Sequence, residues 1–448
     1  MKKRILFGFI MAAVALLLVV GLTACSGDEA EERVPFTPVE FIDANPDSPV
    51  TLTYVGWTNE GTNQAIDWLA SRINELYPNI TVEVNAVASD FYGAMSSSMS
   101  AARLIDVAMH GGAVPLLEWA DTPQPWWVDL IEEGYYVDLT DMPFMRHWNQ
   151  AAVENSMMHN GRVYFVTTSF IGINGIFYNR GMFNEHGWST PTTWDEFVAL
   201  GNDIRAAGIP VMTGAGGDGW PVGMILNHFL DTMLPNPYEW SRGLWQGTTA
   251  LNDAYGVRIY ERIAEFISFY EEGFRGLDYG SAIGRFQAGL VAMYPGGTWD
   301  GTGILTHAPD MELGFFTLPG DDPAGHPVQM AGRYDLGFAI PYYAPNIQEA
   351  LIFLHVLSQP ENFEVFANLN GGITTMDVPI TEPFTASLAP FNQAAYFTFQ
   401  MYREFPEGVG QFADWEVAWA HLITAGGDMT PQELADAAAA DWDLAMGR

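Results

Sequence analysis

Cysteine is almost missing from this chain: Cys25 is the only one in 448 residues. No intramolecular disulfide can form, whatever the compartment, so the fold must be held by its core. Lysine stops at Lys2 and Lys3, and 54 acidic residues face 18 lysines and arginines, for a net charge of −36. So acidic a surface repels nucleic acid and anionic lipid alike. Catalytic signatures are also missing. There is no H-E-x-x-H, no G-x-S-x-G, no P-loop and no CxxC pair. The nine histidines are scattered without ligand spacing, and Asp321-Asp322 reads as a turn rather than a calcium loop. The sequence therefore offers no catalytic residue and calls for no metal and no cofactor.

What is present is globular. Apolar residues make up 48% and charged residues 16%, which is not a disordered composition. The length suggests roughly two to three domains. Lys2, Lys3 and Arg4 open the chain, and Ile5 to Ala24 is almost wholly apolar. A basic start followed by an apolar stretch reads as an export signal. The stretch is also long enough to span a membrane, but its end argues for processing. Leu22-Thr23-Ala24-Cys25 resembles the lipobox of bacterial lipoproteins. Residues 1–24 are therefore expected to be a signal peptide, Cys25 the acylated residue, and residues 25–48 an acidic tether. The expected location is the extracytoplasmic face of the cell membrane, held by a lipid anchor.

The body begins with a βαβ pattern, which implies a parallel sheet. Thr51 to Val55 alternates, Ala65 to Tyr77 carries Ile66, Leu69, Ile73 and Leu76 on one helical face, and Ile80 to Val87 is strand-like. Arg162 to Val166, Ile176 to Tyr178 and Ile209 to Met212 read as further strands. Thr193-Trp194-Asp195-Glu196 and Thr430-Pro431-Gln432-Glu433 fit capping boxes that open helices. Glycine-rich stretches separate these elements, among them Thr213 to Trp220, Pro295 to Gly303, Gln329 to Gly332 and Asn370 to Gly372. In open α/β sheets, binding sites form at such loops beyond the strand ends.

Several segments together resemble the family 1 extracellular solute-binding proteins. They are Gly161 to Val166 with Ile176 to Arg180 and Met182-Phe183; Gly187-Trp188 through Phe197; Phe286 to Met293 with Gly297 and Trp299; and Asp335 to Pro341 with Ala350 to Pro360. The resemblance implies a two-lobed α/β fold, periplasmic-binding-protein-like, each lobe a sheet flanked by helices. A multi-crossing hinge joins the lobes, with the ligand in the cleft. Carried over, the crossings fall near Thr167 to Phe170, Phe315 to Pro319 and Gly372 to Met376. One lobe is then 49–168 with 318–372, the other 169–317 with 373–448. Asp121 to Leu130 looks like an insertion.

A sugar presents an apolar C–H face and a hydroxyl rim, so its site pairs aromatic rings with hydrogen-bonding side chains. The loops supply such pairs as candidate binding residues: Trp57 with Asn59 and Glu60 after the first strand, Trp220 ending a glycine loop, and Arg333 with Tyr334 after a glycine. Arg333 offers a planar fork to vicinal hydroxyls. The resemblance adds His110 at the second cleft loop, Phe170 at the first crossing and Trp299 as the stacking aromatic. Trp68, Trp194 and Trp442 sit on helical patterns and are read as packing residues, as is the pair Trp415 and Trp419.

The function implied is the solute-binding component of an ABC importer. It would be a monomer that captures a carbohydrate by hinge closure and hands it to permease subunits in the membrane. It is not expected to be an enzyme. The alternative is a secreted carbohydrate-active enzyme or a polysaccharide-binding surface protein.

Overall fold

The computed structural model describes residues 39–57, 59–87, 105–110, 118–120, 126–226, 228–234, 236–321, 330–391, 396–397 and 405–448. The signal peptide, Cys25 and most of the tether lie outside these residues, as do 121–125 of the expected insertion. The chain runs β1 (Val50–Trp57), α1 (Glu60–Leu76), β2 (Ile80–Val87), β3 (Val107–His110), α2 (Trp126–Glu132), β4 (Met158–His159), β5 (Arg162–Val163), β6 (Val166–Gly172) and β7 (Gly175–Asn179). It continues with α3 (Trp194–Ala206), α4 (Trp220–Leu226), α5 (Ala254–Ile267), α6 (Tyr279–Gln287), β8 (Met293–Pro295), α7 (Asp300–His307) and β9 (Leu313–Thr317). The last elements are β10 (Ala331–Ala339), α8 (Ile347–Leu357), α9 (Pro360–Asn370), β11 (Ile373–Thr374), β12 (Tyr396–Phe397) and α10 (Pro431–Ala445).

Two sheets organise the molecule. The larger has the order β11-β6-β10-β3-β1-β2, with β12 also pairing to β10. The βαβ expectation holds: β1 and β2 are parallel from Val50 opposite Ile80 to Trp57 opposite Val87. Helix α1 begins earlier than the apolar stripe alone indicates, because Asn59 caps it by accepting from Thr62 N at 2.9 Å. It lays Ala65, Ile66, Leu69 and Ile73 on the sheet. These join Leu52, Tyr54, Phe338, Phe353, Phe363 and Phe366 in one core, and Val128 and Ile131 of α2 pack there as well.

The smaller sheet, β8-β7-β9, is antiparallel. Successive strand residues point to opposite faces. On β7, Ile176 therefore enters a core with Phe197, Phe229, Phe266 and Trp442, while Phe177 enters another with Phe286, Tyr294 and Phe384. Both expected capping boxes are present, at Thr193 with Glu196 and at Thr430 with Glu433. Trp194, Trp419 and Trp442 are buried in the second core, and Trp68 packs against the first. The strand expected at Ile209 to Met212 is reduced to single bridges at Met212. Pro210 lacks the N–H that a ladder needs there.

The chain leaves the large sheet at Ile173-Asn174, later than Thr167 to Phe170, because β6 stays paired to β10 as far as Gly172. It returns between Thr317 and Ala331 and departs again after β11. Asn174, which is buried, ties the first two crossings together. Its side-chain oxygen accepts from Ala331 N at 3.0 Å, and its carbonyl accepts from Leu318 N at 2.8 Å.

Candidate functional site

Strands β1 and β3 are parallel, and β10 runs antiparallel to both β3 and β6. The ends of β1, β3 and β6 and the start of β10 therefore share one edge of the large sheet. Trp57 closes β1 there. His110 closes β3 opposite Gly337, and Phe170 faces Tyr334 across the ladder. The side chains of Trp57 and His110 lie outside the described residues.

The remaining candidates on this edge are already engaged within the protein. Asn59 uses its side-chain oxygen as a helix cap. Glu60 accepts from Gln64 at 2.7 Å and lies 3.8 Å from His307 at the end of α7. Phe170 is buried edge-on against Tyr334, with ring centroids 5.4 Å apart. Arg333 reaches the buried Asp335 at 3.3 Å. Next to that pair, Leu336 has a left-handed φ of 57°, an uncommon conformation for a residue with a side chain. It is held by its N–H to Asp335 at 2.9 Å and by its carbonyl, which accepts from Thr168 at 3.1 Å.

A second group lies beyond the first crossing. Trp220, Tyr279, Trp299, Asp300, Met224 and Ile173 line a small recess open to solvent. Two of the candidates, Trp220 and Trp299, thus come together. Local structure explains how. Asp278 caps α6 by accepting from Ser281 N at 2.8 Å. Asp218, two residues before Trp220, accepts from Tyr279 N at 2.7 Å. The loop that carries Trp220 is thereby tied to the start of α6, and the Trp220 and Tyr279 rings lie 5.1 Å apart at 45°.

The loop before Trp299 is pinned to the end of β6. Thr298 N donates to the Gly172 carbonyl at 2.9 Å, and Gly172 N donates to the Thr298 hydroxyl at 3.0 Å. The glycine pair there serves close approach, not an unusual turn: neither Gly296 nor Gly297 has a positive φ. A Cβ on Gly297 would fall 1.9 Å from the Trp299 ring, and one on Gly296 would meet Tyr294 and Asp300.

Behind the rings is a buried carboxylate. The Trp299 indole N–H donates to the Tyr279 hydroxyl at 2.7 Å. Tyr279 donates to one oxygen of Asp300, and Tyr294 donates to the other at 3.1 Å. Burial drives the Asp300 carboxyl up to about 7, although the two hydroxyls pull the other way. Burial, and then the nearby Asp300 charge, raises both tyrosines well above their usual range. The recess thus offers apolar ring faces, the surface that a sugar's C–H face requires, and the buried oxygens behind them are bonded to one another and to the Trp299 indole. Among the described residues, no group of three His, Cys, Asp or Glu side chains can hold a metal.

Sequence reasoning did not select Tyr279, Tyr294, Asp300 or Ile173. Asp300 carries a weak signal, since it directly follows Trp299. An acid at the first position of a helix is, however, ordinarily read as a partner of the helix dipole.

A family model described as bacterial extracellular solute-binding protein matches residues 43–362. The multiple sugar-binding protein of Streptococcus mutans is 24% identical over 277 residues, covering 59% of this chain. The match spans 63% of that protein's length, just under two thirds. Among solved structures, the solute-binding protein RafE in complex with raffinose superposes with a TM-score of 0.70 at 20% identity, covering 89% of this chain and all of that one. A Bacillus licheniformis sugar transporter in complex with stachyose gives 0.68 at 16% identity, covering 88% of this chain and all of that one. At these identities the two structures establish the shared two-lobed fold.

Proposed function

Since this chain belongs to the bacterial extracellular solute-binding proteins, we propose that it captures a carbohydrate, an oligosaccharide, for an ABC importer. The observation that carries the reading is the recess, where Trp220, Tyr279 and Trp299 present rings beside the hydrogen-bonded Asp300. The sugar-binding names of the relatives support it. So does the position of the recess, which adjoins the edge of the large sheet at Ile173.

Capture is by hinge closure. A ligand that touches both lobes binds the closed form better and shifts the population toward it. The moving bodies are those expected from the sequence, 49–168 with 318–372 and 169–317 with 373–448, with the rest of β6 and with β11 moved to the first body because both belong to the large sheet. We place their first boundary at Ile173-Asn174, where β6 ends. The closed form is what the permease subunits recognise. Acylation of Cys25 after removal of residues 1–24 holds the monomer at the extracytoplasmic face of the membrane. No described helix is long and apolar enough to cross it.

The reading is binding without a chemical step. Glycoside hydrolysis uses two carboxylates placed about the scissile bond. Asp300 is the one carboxylate that lines the recess among the described residues, and both its oxygens are already bonded.

The test is a thermal-shift and calorimetry panel of raffinose, stachyose, chitin and xylan oligosaccharides, and galactose, with product analysis of each mixture. A true ligand at about a hundredfold its Kd adds roughly 2.7 kcal/mol of stability and is recovered intact. Silence across the panel at millimolar sugar would overturn the carbohydrate reading. Cleavage of a sugar would favour the enzyme.

A further inference from the structure

A stacking ring contributes most when its plane is set before the ligand arrives, because ordering it on binding costs affinity. Trp299 is half-buried at the start of α7, and contact with Gly297 bounds one side of the ring. That contact limits the ring without selecting one orientation. Selection comes from a chain of hydrogen bonds with a single direction. The Trp299 N–H donates to Tyr279, and the Tyr279 hydroxyl spends its own proton on Asp300. Tyr294, on β8, donates to the second Asp300 oxygen and so ties the carboxylate to the small sheet. The indole nitrogen only donates, which commits the Tyr279 oxygen to receiving its proton whether Asp300 is ionised or neutral. The same tyrosine ring packs against Trp220.

We propose that Asp300 is a positioning residue of the sugar site, setting the plane of the Trp299 ring through the Tyr279 hydroxyl. The role rests on the carbohydrate reading above. Asp300 does not itself touch the sugar.

The experiment is a mutant cycle on the full protein, read by calorimetry with raffinose, stachyose and the other panel sugars. A ligand-free readout runs beside it: exchange of the Trp299 indole proton with solvent, assigned by the nuclear magnetic resonance peak that Trp299→Phe removes. Tyr279→Phe keeps the ring but removes the hydroxyl, and Asp300→Ala removes the anchor. Each should weaken sugar binding about tenfold and speed exchange of the Trp299 indole proton. Asp300→Asn keeps an acceptor for Tyr279 and should restore affinity to within about threefold. In a Trp299→Phe background there is no indole proton to hold. There Tyr279→Phe should change affinity less than about twofold.

Equal losses in both backgrounds would overturn the positioning role. So would unchanged affinity and unchanged indole exchange in Tyr279→Phe, which guards against an Asp300→Ala variant that fails to fold. If no sugar binds while indole exchange responds as described, the carbohydrate reading fails and the positioning role falls with it. If sugars bind but the indole does not respond, the positioning role alone fails.

Discussion

Replacing Asp300 with Asn should stabilise the ligand-free protein near neutral pH and do little in acid. The carboxyl sits at about 7 in the folded protein, against 3.8 for an ordinary aspartate, chiefly because burial disfavours its charge. Below about pH 4 the group is protonated in both folded and unfolded chains, and the charge costs nothing. As pH rises from about 4 to 7, the unfolded chain releases this proton while the folded one retains it. Stability from this group therefore falls across that window and levels off above about 7. At 1.36 kcal/mol per tenfold in proton affinity, the whole loss is about 4 kcal/mol. Asn has nearly the same shape and can still accept from one tyrosine and donate to the other, so the substitution removes the titration without opening a cavity. Urea melts of both proteins at pH 4, 5.5 and 7.5 give the difference directly. The other acidic groups are common to both and largely cancel. The advantage of Asp300→Asn should grow with pH and approach that magnitude by pH 7.5. A difference that stays constant, or that shrinks as pH rises, would falsify the argument that Asp300 is held in the folded protein against its ionisation.

Three further outcomes are expected. Trp299→Ala should weaken sugar binding about thirtyfold, since about 80 Å² of stacked apolar area at 25 cal/mol per Å² is worth roughly 2 kcal/mol. A urea melt without ligand should show a loss well short of the 3–5 kcal/mol of a core tryptophan, and a large loss with unchanged affinity would reverse the assignment. Cys25→Ser should abolish labelling by radioactive fatty acid, and persistent labelling would end the lipoprotein reading. Small-angle scattering should give a smaller radius of gyration at saturating sugar, whereas an identical radius would count against hinge closure.

Features whose physics spans three or four residues are legible in the amino-acid sequence. Thr193 with Glu196 and Thr430 with Glu433 form capping boxes because each partner lies within one helical turn of the other. The first βαβ unit is equally legible, since its alternation and its helical stripe are properties of contiguous chain. Asn59 shows how one residue can carry two readings. It follows a strand and an aromatic, as a ligand-binding side chain would, yet its oxygen is taken up by Thr62 three residues on.

Long-range pairing decided the rest. Phe170 meets Tyr334 only because β6 and β10 align in one particular register, and a shift of one residue would turn each ring to the other face. Trp299 could be singled out from its neighbours in sequence, but its partners could not. Tyr279 is 20 residues away and reaches it through a hydrogen bond that exists only once α6 and α7 are docked. Asp300 has the look of any acid at a helix start until burial among Tyr279, Tyr294 and the recess makes its charge costly. The sequence by itself determined the local elements, the family and the kinds of side chain available to a sugar. The tertiary structure alone decided which of them share one recess, because the desolvation and hydrogen-bond direction at that site belong to groups brought together from distant parts of the chain.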